Sequence, residues 1–241
     1  MATIMKKAVI VGATSGIGRE LAFILSEHGY QLWITGRREP LLHELRDQLT
    51  CPTSICPMDV RDSEASIATF QKIIAEAESL DLVIISAGTG SIDPQLPWSD
   101  EKDTLDTNVT GFAAIANASY HHFVEKGSGH LVGITSLAAI RGGPAASYNA
   151  SKAFESVYLQ GLRSKIVKLE LPVAITEIRP GFVDTRMAKG EGLFWVQPPR
   201  KAAQQIFSAI LKRKKMVYVT GRWRLVAWLF RILPDFLYHR L

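Results

Sequence analysis

The chain has 241 residues, of which 47% are hydrophobic and 21% are charged, and it contains neither a linker nor a repeat, so we expect a single domain with a sizeable core. Its two cysteines, Cys51 and Cys56, lack neighbouring histidines at the spacing of a zinc site, so we expect free thiols, a reducing compartment and no metal. The net charge of +5 comes from residues 212–241, which carry eight basic side chains and one acid, so the rest of the chain is mildly acidic.

Apolar runs and helical patterns alternate along the chain. Lys6 and Lys7 precede an apolar run that is too short for a signal peptide, so we expect a cytoplasmic protein. Strands are predicted at residues 8–11, 31–35, 54–57, 82–85, 131–135, 173–178 and 216–219, and helices at 19–28, 41–49, 63–77, about 103–126 and 223–233. This order predicts an α/β fold: one doubly wound, Rossmann-type domain with a seven-stranded parallel sheet flanked by helices. Ligands are expected at the carboxyl ends of its strands.

A glycine-rich loop joins the first strand to the first helix. Its sequence is Gly12-Ala13-Thr14-Ser15-Gly16-Ile17-Gly18. Glycines let the backbone approach a pyrophosphate, and a helix N-terminus offers free N–H groups to an anion. An ordinary glycine-rich turn is the alternative, but the position between a strand and a helix favours a dinucleotide-binding loop.

The second strand ends in Thr35-Gly36-Arg37-Arg38, without the acidic residue that usually binds the ribose of NAD. Two arginines can instead pair with a 2′-phosphate through charge-assisted hydrogen bonds. A solvated arginine pair is the alternative. The sequence therefore predicts NADP(H) as the cofactor and makes NAD(H) less favoured.

Tyr148 and Lys152 stand four residues apart in a segment that should be helical, which places both side chains on one face. The ordinary pKa of tyrosine is about 10, and a neighbouring cation lowers it by favouring the phenolate. The same spacing occurs by chance on many solvated helices, so the pair alone leaves both interpretations open.

These motifs belong to a longer set of residues in which the chain resembles the classical short-chain dehydrogenases/reductases, from about residue 6 to residue 220. The matching residues, in the order of the family, are Gly12, Gly16 and Gly18, Asp59-Val60, Ala87-Gly88, Asn108, Ser136, Tyr148 with Lys152, and Pro180-Gly181 followed by Thr185. One departure is Ser86, where the family commonly has Asn before Ala-Gly, and it bears on local stability more than on activity. The resemblance implies a dimer or tetramer formed through the helices that carry Asn108 and Tyr148.

The resemblance also implies the cofactor contacts. Asp59 and Val60 would contact the adenine, Arg37 would bind the 2′-phosphate, and Thr185 would hold the nicotinamide carboxamide. The full set of implied cofactor-binding residues is Gly12, Thr14, Ser15, Gly16, Ile17, Gly18, Arg37, Asp59, Val60, Ala87, Gly88, Asn108, Tyr148, Lys152, Pro180, Gly181, Val183 and Thr185.

Four residues are implied to be catalytic. Tyr148 would protonate the carbonyl oxygen in reduction, Lys152 would support it and bind the nicotinamide ribose, Ser136 would hydrogen-bond the same oxygen, and Asn108 would hold a water. These roles agree with the chemistry, because hydride transfer leaves negative charge on an oxygen that needs a donor and a proton source within about 3 Å. Ser136 follows the fifth strand directly, at the edge where the cofactor is expected.

Residues 186–199 resemble the family's variable substrate flap within a domain of residues 1–221. The apolar side chains here are Met187, Leu193, Phe194, Trp195 and Val196. They favour a hydrophobic substrate, although they could equally pack on the protein's own body.

Residues 222–241 form a basic, amphipathic C-terminal segment. Its predicted helix ends before Pro234, carries Arg224 and Arg231 on one stripe, and is shorter than the roughly 20 residues that span a bilayer. Peripheral contact with an anionic membrane, a subunit contact and a cover over the substrate pocket are all open. Nucleic acid is not expected, because the aromatic residues do not alternate with charges.

Together these features predict an NADP(H)-dependent oxidoreductase that interconverts a carbonyl and an alcohol on a small or hydrophobic substrate. The alternative is a non-catalytic NADP-binding sensor or scaffold that uses its basic C-terminal segment to engage a partner.

Overall fold

The computed structural model describes residues 5–185, 187 and 194–238. Seven parallel strands form one sheet in the order β3-β2-β1-β4-β5-β6-β7. The strands are β1 (Lys7–Val11), β2 (Gln31–Gly36), β3 (Thr53–Pro57), β4 (Leu82–Ile85), β5 (Gly129–Ile134), β6 (Val173–Pro180) and β7 (Met216–Val219). The predicted fold class is confirmed.

The α-helices of the described residues cover both faces of this sheet. They are α1 (Gly16–Glu27), α2 (Glu39–Gln48), α3 (Ser63–Ala77), α4 (Trp98–Leu105), α5 (Phe112–Lys126), α6 (Ala146–Lys168), α7 (Pro199–Leu211), α8 (Trp223–Ile232) and α9 (Asp235–Tyr238). Successive side chains of β1 point to opposite faces of the sheet, so the strand contributes to the core on both faces. Ala8 and Ile10 pack with residues of α1, α2 and α7, whereas Val9 and Val11 pack with residues of α3, α5 and α6.

The strand order reverses direction between β1 and β4, which are neighbours at the centre of the sheet. The connections after these two strands leave toward opposite faces, and a crevice therefore opens at their carboxyl ends. The strand ends at Val11, Ile85, Ile134 and Pro180 all lie at this edge of the sheet.

The helix predicted at about residues 103–126 is longer and has an irregular centre. It begins at Trp98, directly after Pro97, and a π-helical turn, Asp106–Gly111, joins α4 to α5. The start of this helix at Trp98 was not apparent from the sequence, because α4 is mostly polar and buries only Thr104. Gly111 allows a close approach, since a Cβ there would lie 2.4 Å from the carbonyl oxygen of Val60.

Helix α7 was not predicted from the sequence, although it packs on α1 and buries six residues. It begins at Pro199, directly after Pro198. Proline is well tolerated at the first position of a helix, because the N–H group there has no intrahelical acceptor.

Candidate functional site

The glycine-rich loop lies in the crevice between β1 and β4. Gly12 has φ +89°, and a Cβ there would lie 2.5 Å from the backbone nitrogen of Ala87. A Cβ on Gly18 would lie 2.2 Å from the carbonyl oxygen of Gly12. Ala87 N–H in turn donates to the carbonyl oxygen of Val11 at 2.8 Å. Only glycine permits this packing of loop, helix and neighbouring strand end.

The N-terminus of α1 is suited to bind an anion. Ser15 at the N-cap makes no side-chain capping bond, and the first turn contains no acidic residue. The N–H donors of this turn and the helix dipole therefore remain for a negatively charged group. Arg38 adds a positive charge, because its Nη2 donates to Thr14 Oγ1 at 2.6 Å and to Ser15 Oγ at 3.1 Å. These residues fit the pyrophosphate of a dinucleotide.

Arg37 and Asp59 face one another where β2 and β3 end. Arg37 is exposed, and Asp59 is held by the guanidinium of Arg61 at 2.6 to 3.0 Å. Burial alone would raise the pKa of Asp59, but the hydrogen bonds from Arg61 and the charges of Arg61 and Arg37 bring it below the ordinary value. Val60, the other predicted adenine contact, is buried against Gly111.

Asn108 is fully buried in the π-helical turn, where its amide is fixed at both ends. Its Oδ1 accepts from Thr89 N–H at 2.9 Å, and its Nδ2 donates to the Thr89 carbonyl oxygen at 2.7 Å. Nδ2 also donates to Ser151 Oγ, at 3.0 Å. Asn108 therefore ties the segment after β4 to helix α6, and π-helical turns are frequent at functional sites.

Ser136 follows β5 and caps a short 3₁₀ helix, Leu137–Ile140. Its Oγ accepts from Ala138 N–H at 3.0 Å. This bond uses an acceptor position of the hydroxyl and leaves its hydrogen to donate to a ligand.

Tyr148 and Lys152 lie on the first two turns of α6, beside the segment after β4. A Cβ on Gly90 would lie 2.5 Å from the Tyr148 ring, and one on Gly88 would lie 3.1 Å from Lys152 Nζ and 3.4 Å from Asn108 Oδ1. Lys152 Nζ lies 5.8 Å from the centroid of the Tyr148 ring. The fold thus brings a half-buried phenol, a buried ammonium and a buried amide to one strand end.

Strand β6 ends at Pro180, Gly181 follows it, and the chain then passes over the glycine-rich loop. A Cβ on Gly16 would lie 3.1 Å from Thr185 Cγ2, so the predicted nicotinamide contact reaches the pyrophosphate loop. Val183 pairs with Gln197 across the base of the predicted flap. Within that flap, Arg186 and Leu193 lie outside the described residues.

The described part of the flap packs on helix α8. Phe194 and Trp195 form ring contacts with Trp223 at 5.2 and 5.7 Å between centroids. Both side chains nevertheless remain between 43% and 49% exposed. They therefore cover part of the protein's own body and also present apolar surface to solvent.

Two contributors to the site were not found from the sequence. Glu155 lies one helical turn beyond Lys152 and binds its ammonium, and the (i, i+3) spacing of opposite charges was the available signal. Gly90 borders the Tyr148 ring, and nothing in the local sequence marks that contact. Among the described residues, no group of three or more His, Cys, Asp or Glu side chains is arranged to hold a metal ion.

Residues 6–193 match the family model described as short chain dehydrogenase. An uncharacterized oxidoreductase of Myxococcus xanthus (strain DK1622) is 39% identical over 188 residues, which cover 76% of this chain and 74% of that protein.

Two solved structures share the fold. A short chain dehydrogenase/reductase from Burkholderia phymatum in complex with NAD has a TM-score of 0.82 at 20% identity, with 93% of this chain and 92% of that chain covered. ElxO with NADP bound has a TM-score of 0.75 at 19% identity, with 89% of this chain and 97% of that chain covered. This fold accordingly binds a nicotinamide nucleotide.

Proposed function

Because the chain belongs to the short-chain dehydrogenase family, we propose that it is an NADP(H)-dependent oxidoreductase that interconverts a carbonyl and an alcohol on a hydrophobic substrate. The observation that carries the proposal is the cluster of Tyr148, Lys152 and Asn108 beside Gly88 and Gly90 at the end of β4. A phenol with an adjacent ammonium, next to a loop suited to a dinucleotide, is the chemistry that carbonyl reduction requires.

The proposed mechanism assigns a separate task to each polar side chain. When bound, the reduced nicotinamide supplies the hydride. Ser136 donates its hydroxyl hydrogen to the substrate oxygen, and Tyr148 transfers its phenolic proton to the same oxygen as negative charge develops there. The Lys152 ammonium stabilises the phenolate that remains. Asn108 holds the segment after β4 against α6 and thereby keeps these groups in register.

Two arginines support NADP(H) over NAD(H). Arg38 donates a hydrogen bond to Thr14 of the glycine-rich loop. Arg37 is exposed at the end of β2, near enough to Asp59 for its charge to lower the pKa of that carboxyl. Two guanidinium groups favour a 2′-phosphate, and neither of the two residues that directly follow β2 is an acid that could bind an unmodified ribose.

Exposed apolar side chains in two segments that adjoin site residues in the chain support a hydrophobic substrate. Ile92 and Trp98 are 71% and 69% exposed in the stretch after Gly90, which contacts Tyr148. Phe194 and Trp195 are exposed on the flap after Thr185. A hydrophobic substrate that covers these side chains would remove their apolar area from water.

Helices α5 and α6 carry a mostly apolar groove that supports a homodimer or a homotetramer. Its lining includes Tyr120, Ala153, Phe154, Val157 and Gly161. Val157 is 67% exposed in the single chain, and a second copy of the same groove would remove it from water.

Helix α8 supports peripheral contact with an anionic membrane. Its first face packs on the body through Trp223, Val226, Ala227 and Phe230. A second face exposes further apolar side chains, and the adjoining helix α9 continues it. These are Leu225, Trp228, Leu229 and Ile232 on α8, and Phe236 and Leu237 on α9.

Arg224 and Arg231 border this second face and are themselves exposed. A short helix with apolar and cationic surface side by side fits the interface of an anionic bilayer. Arg240 and the rest of 239–241 lie outside the described residues. Among the residues that are described, helices with the length and apolarity to cross a bilayer are absent.

We expect Tyr148→Phe to lower NADPH-dependent reduction of a carbonyl panel by at least about a hundredfold, because the proton donor is removed while the ring and its packing are kept. NADPH oxidation is measured across aldehydes and ketones of increasing chain length, and kcat/KM should rise about fourfold per buried methylene. Tyr158→Phe on the same helix, outside this cluster, is the matched control and should keep wild-type activity.

Equal activity of Tyr148→Phe and wild type would reject the mechanism. Tight NADPH binding without turnover of any carbonyl by the wild-type protein would instead favour the non-catalytic sensor or scaffold.

Replacing Arg37 by Ala should weaken NADPH binding by about tenfold to a hundredfold, because it removes a charge-assisted bond to the 2′-phosphate, and should leave NADH binding nearly unchanged. Replacing Arg38 by Ala should weaken the binding of both cofactors, because Arg38 also contacts the glycine-rich loop. Titration of cofactor fluorescence gives both dissociation constants. Arg46→Ala, on the exposed surface of α2, is the control. Tighter binding of NADH than NADPH by wild type would contradict the cofactor assignment.

Val157→Arg should convert the dimer or tetramer to a smaller species, because it places a charge within an apolar contact. Light scattering during gel filtration gives the mass in solution. Val167→Arg is the matched control, since Val167 is 66% exposed on the same helix and lies outside the groove. A monomeric wild-type protein, or equal dissociation of both variants, would refute the proposed interface.

Trp228→Asn should abolish most binding to vesicles that contain phosphatidylglycerol, because it removes the largest apolar side chain from the second face of α8. Arg224→Gln with Arg231→Gln should remove the salt-sensitive part of the binding. Sedimentation with vesicles measures both effects, and the similarly exposed Trp98→Asn is the control. A change in oligomeric mass without any vesicle binding would assign this face to a second copy.

A further inference from the structure

A buried carboxylate that has no task in the proposed mechanism contacts Lys152. Glu155 is fully buried on α6, three residues after Lys152. Its Oε1 and Oε2 accept hydrogen bonds from Lys152 Nζ at 2.8 and 2.9 Å. Burying a carboxylate is costly unless it is paired, so this position requires the ammonium as its partner.

The same two bonds determine the surroundings of Lys152. Its Nζ has one further acceptor, the carbonyl oxygen of Ile134 at 3.3 Å, and its side chain is 4% exposed. The ammonium therefore contacts the Glu155 carboxylate directly and lies 5.8 Å from the centroid of the Tyr148 ring. At such distances in a buried site, an anion offsets much of the field of the cation.

Glu155 also faces a second buried ion pair, on β6. Glu177 Oε1 accepts from Arg179 Nε at 2.6 Å and from Thr135 Oγ1 at 3.1 Å, and Arg179 Nη2 donates to Ser156 Oγ at 2.6 Å. Arg179 Nη1 donates to the hydroxyl of Tyr218 at 3.2 Å.

Burial is the largest influence on Glu155 and raises the pKa of its carboxyl, against the opposing effect of Lys152, and the charge of Glu177 raises it further. The carboxylate of Glu155 is therefore readily protonated for a glutamate, although it is bonded to an ammonium.

We propose that Glu155 is a positioning residue that fixes the Lys152 ammonium and sets how much of its positive charge reaches Tyr148. When Glu155 is ionised, it offsets the charge of Lys152, and the phenol of Tyr148 holds its proton more firmly. When Glu155 is neutral, the full charge of Lys152 favours the phenolate. The ionised Glu155 carboxylate thus keeps the phenol of Tyr148 protonated and able to donate, which favours reduction of a carbonyl. This inference rests on the proposed function, which makes Tyr148 the proton donor.

The test is an ultraviolet titration of Tyr148 in the full-length protein without substrate. Phenolate absorbance is recorded against pH for each protein and for its Tyr148→Phe counterpart, and their difference isolates Tyr148. We expect Glu155→Gln to move the midpoint of this ionisation to lower pH by about one unit, a tenfold change in the equilibrium, because the amide keeps the shape and loses the charge. Glu155→Asp keeps the charge and should stay within a few tenths of a unit of wild type.

An unchanged or raised midpoint in Glu155→Gln would overturn the proposal. A shift of equal size in Glu155→Asp would also overturn it, because packing rather than charge would then be responsible. Glu155→Met, which fills a similar volume without charge, repeats the measurement if Glu155→Gln does not fold. The titration needs no turnover. A protein that is inactive toward every carbonyl would contradict the proposed function, but the effect of Glu155 on Tyr148 could still be measured.

Discussion

The pairing of β1 with both β2 and β4 is the constraint on which the rest of this structure depends. All strands are parallel, so their carboxyl ends meet at one edge, and the order reverses beside β1. The glycine-rich loop, the segment after β4 and Ser136 in the segment after β5 are thereby brought to a common crevice. Close packing of Gly12 against Ala87 and of Gly18 against Gly12 fixes the loop there, because no side chain could fit between them.

Within that crevice, buried polar side chains are held in place by hydrogen bonds to one another and to the backbone. Lys152 is held by Glu155 and by the Ile134 carbonyl oxygen, and Asn108 is bonded at both ends of its amide. A buried ammonium with fixed acceptors has one position available, so its distance from Tyr148 is set by the fold rather than by solvent. The same burial makes the charge of Glu155 matter, because its effect on Lys152 is not screened by water.

The C-terminal segment connects the site to the surface of the protein. Trp223 packs against Phe182 and Phe194, and other residues of α8 pack with Leu137 and Ile140, directly after Ser136. Arg141 donates to the carbonyl oxygen of Phe230 at 3.0 Å and also pairs with Asp235. Contact of the outer face of α8 with a membrane would therefore act close to the flap and to Ser136.

The sequence by itself determined the sheet, because near-continuous apolar runs such as residues 82–85 must be buried on both sides wherever they lie. It also determined the glycine-rich loop and the spacing of Tyr148 and Lys152. Only the tertiary structure decided that α4 and α7 are helices at residues 98–105 and 199–211, that Glu155 rather than solvent binds Lys152, and that α8 buries one apolar face and exposes another. The physical reason is that periodicity reports which side chains must leave water, whereas the surface that covers them comes from residues far away in the chain.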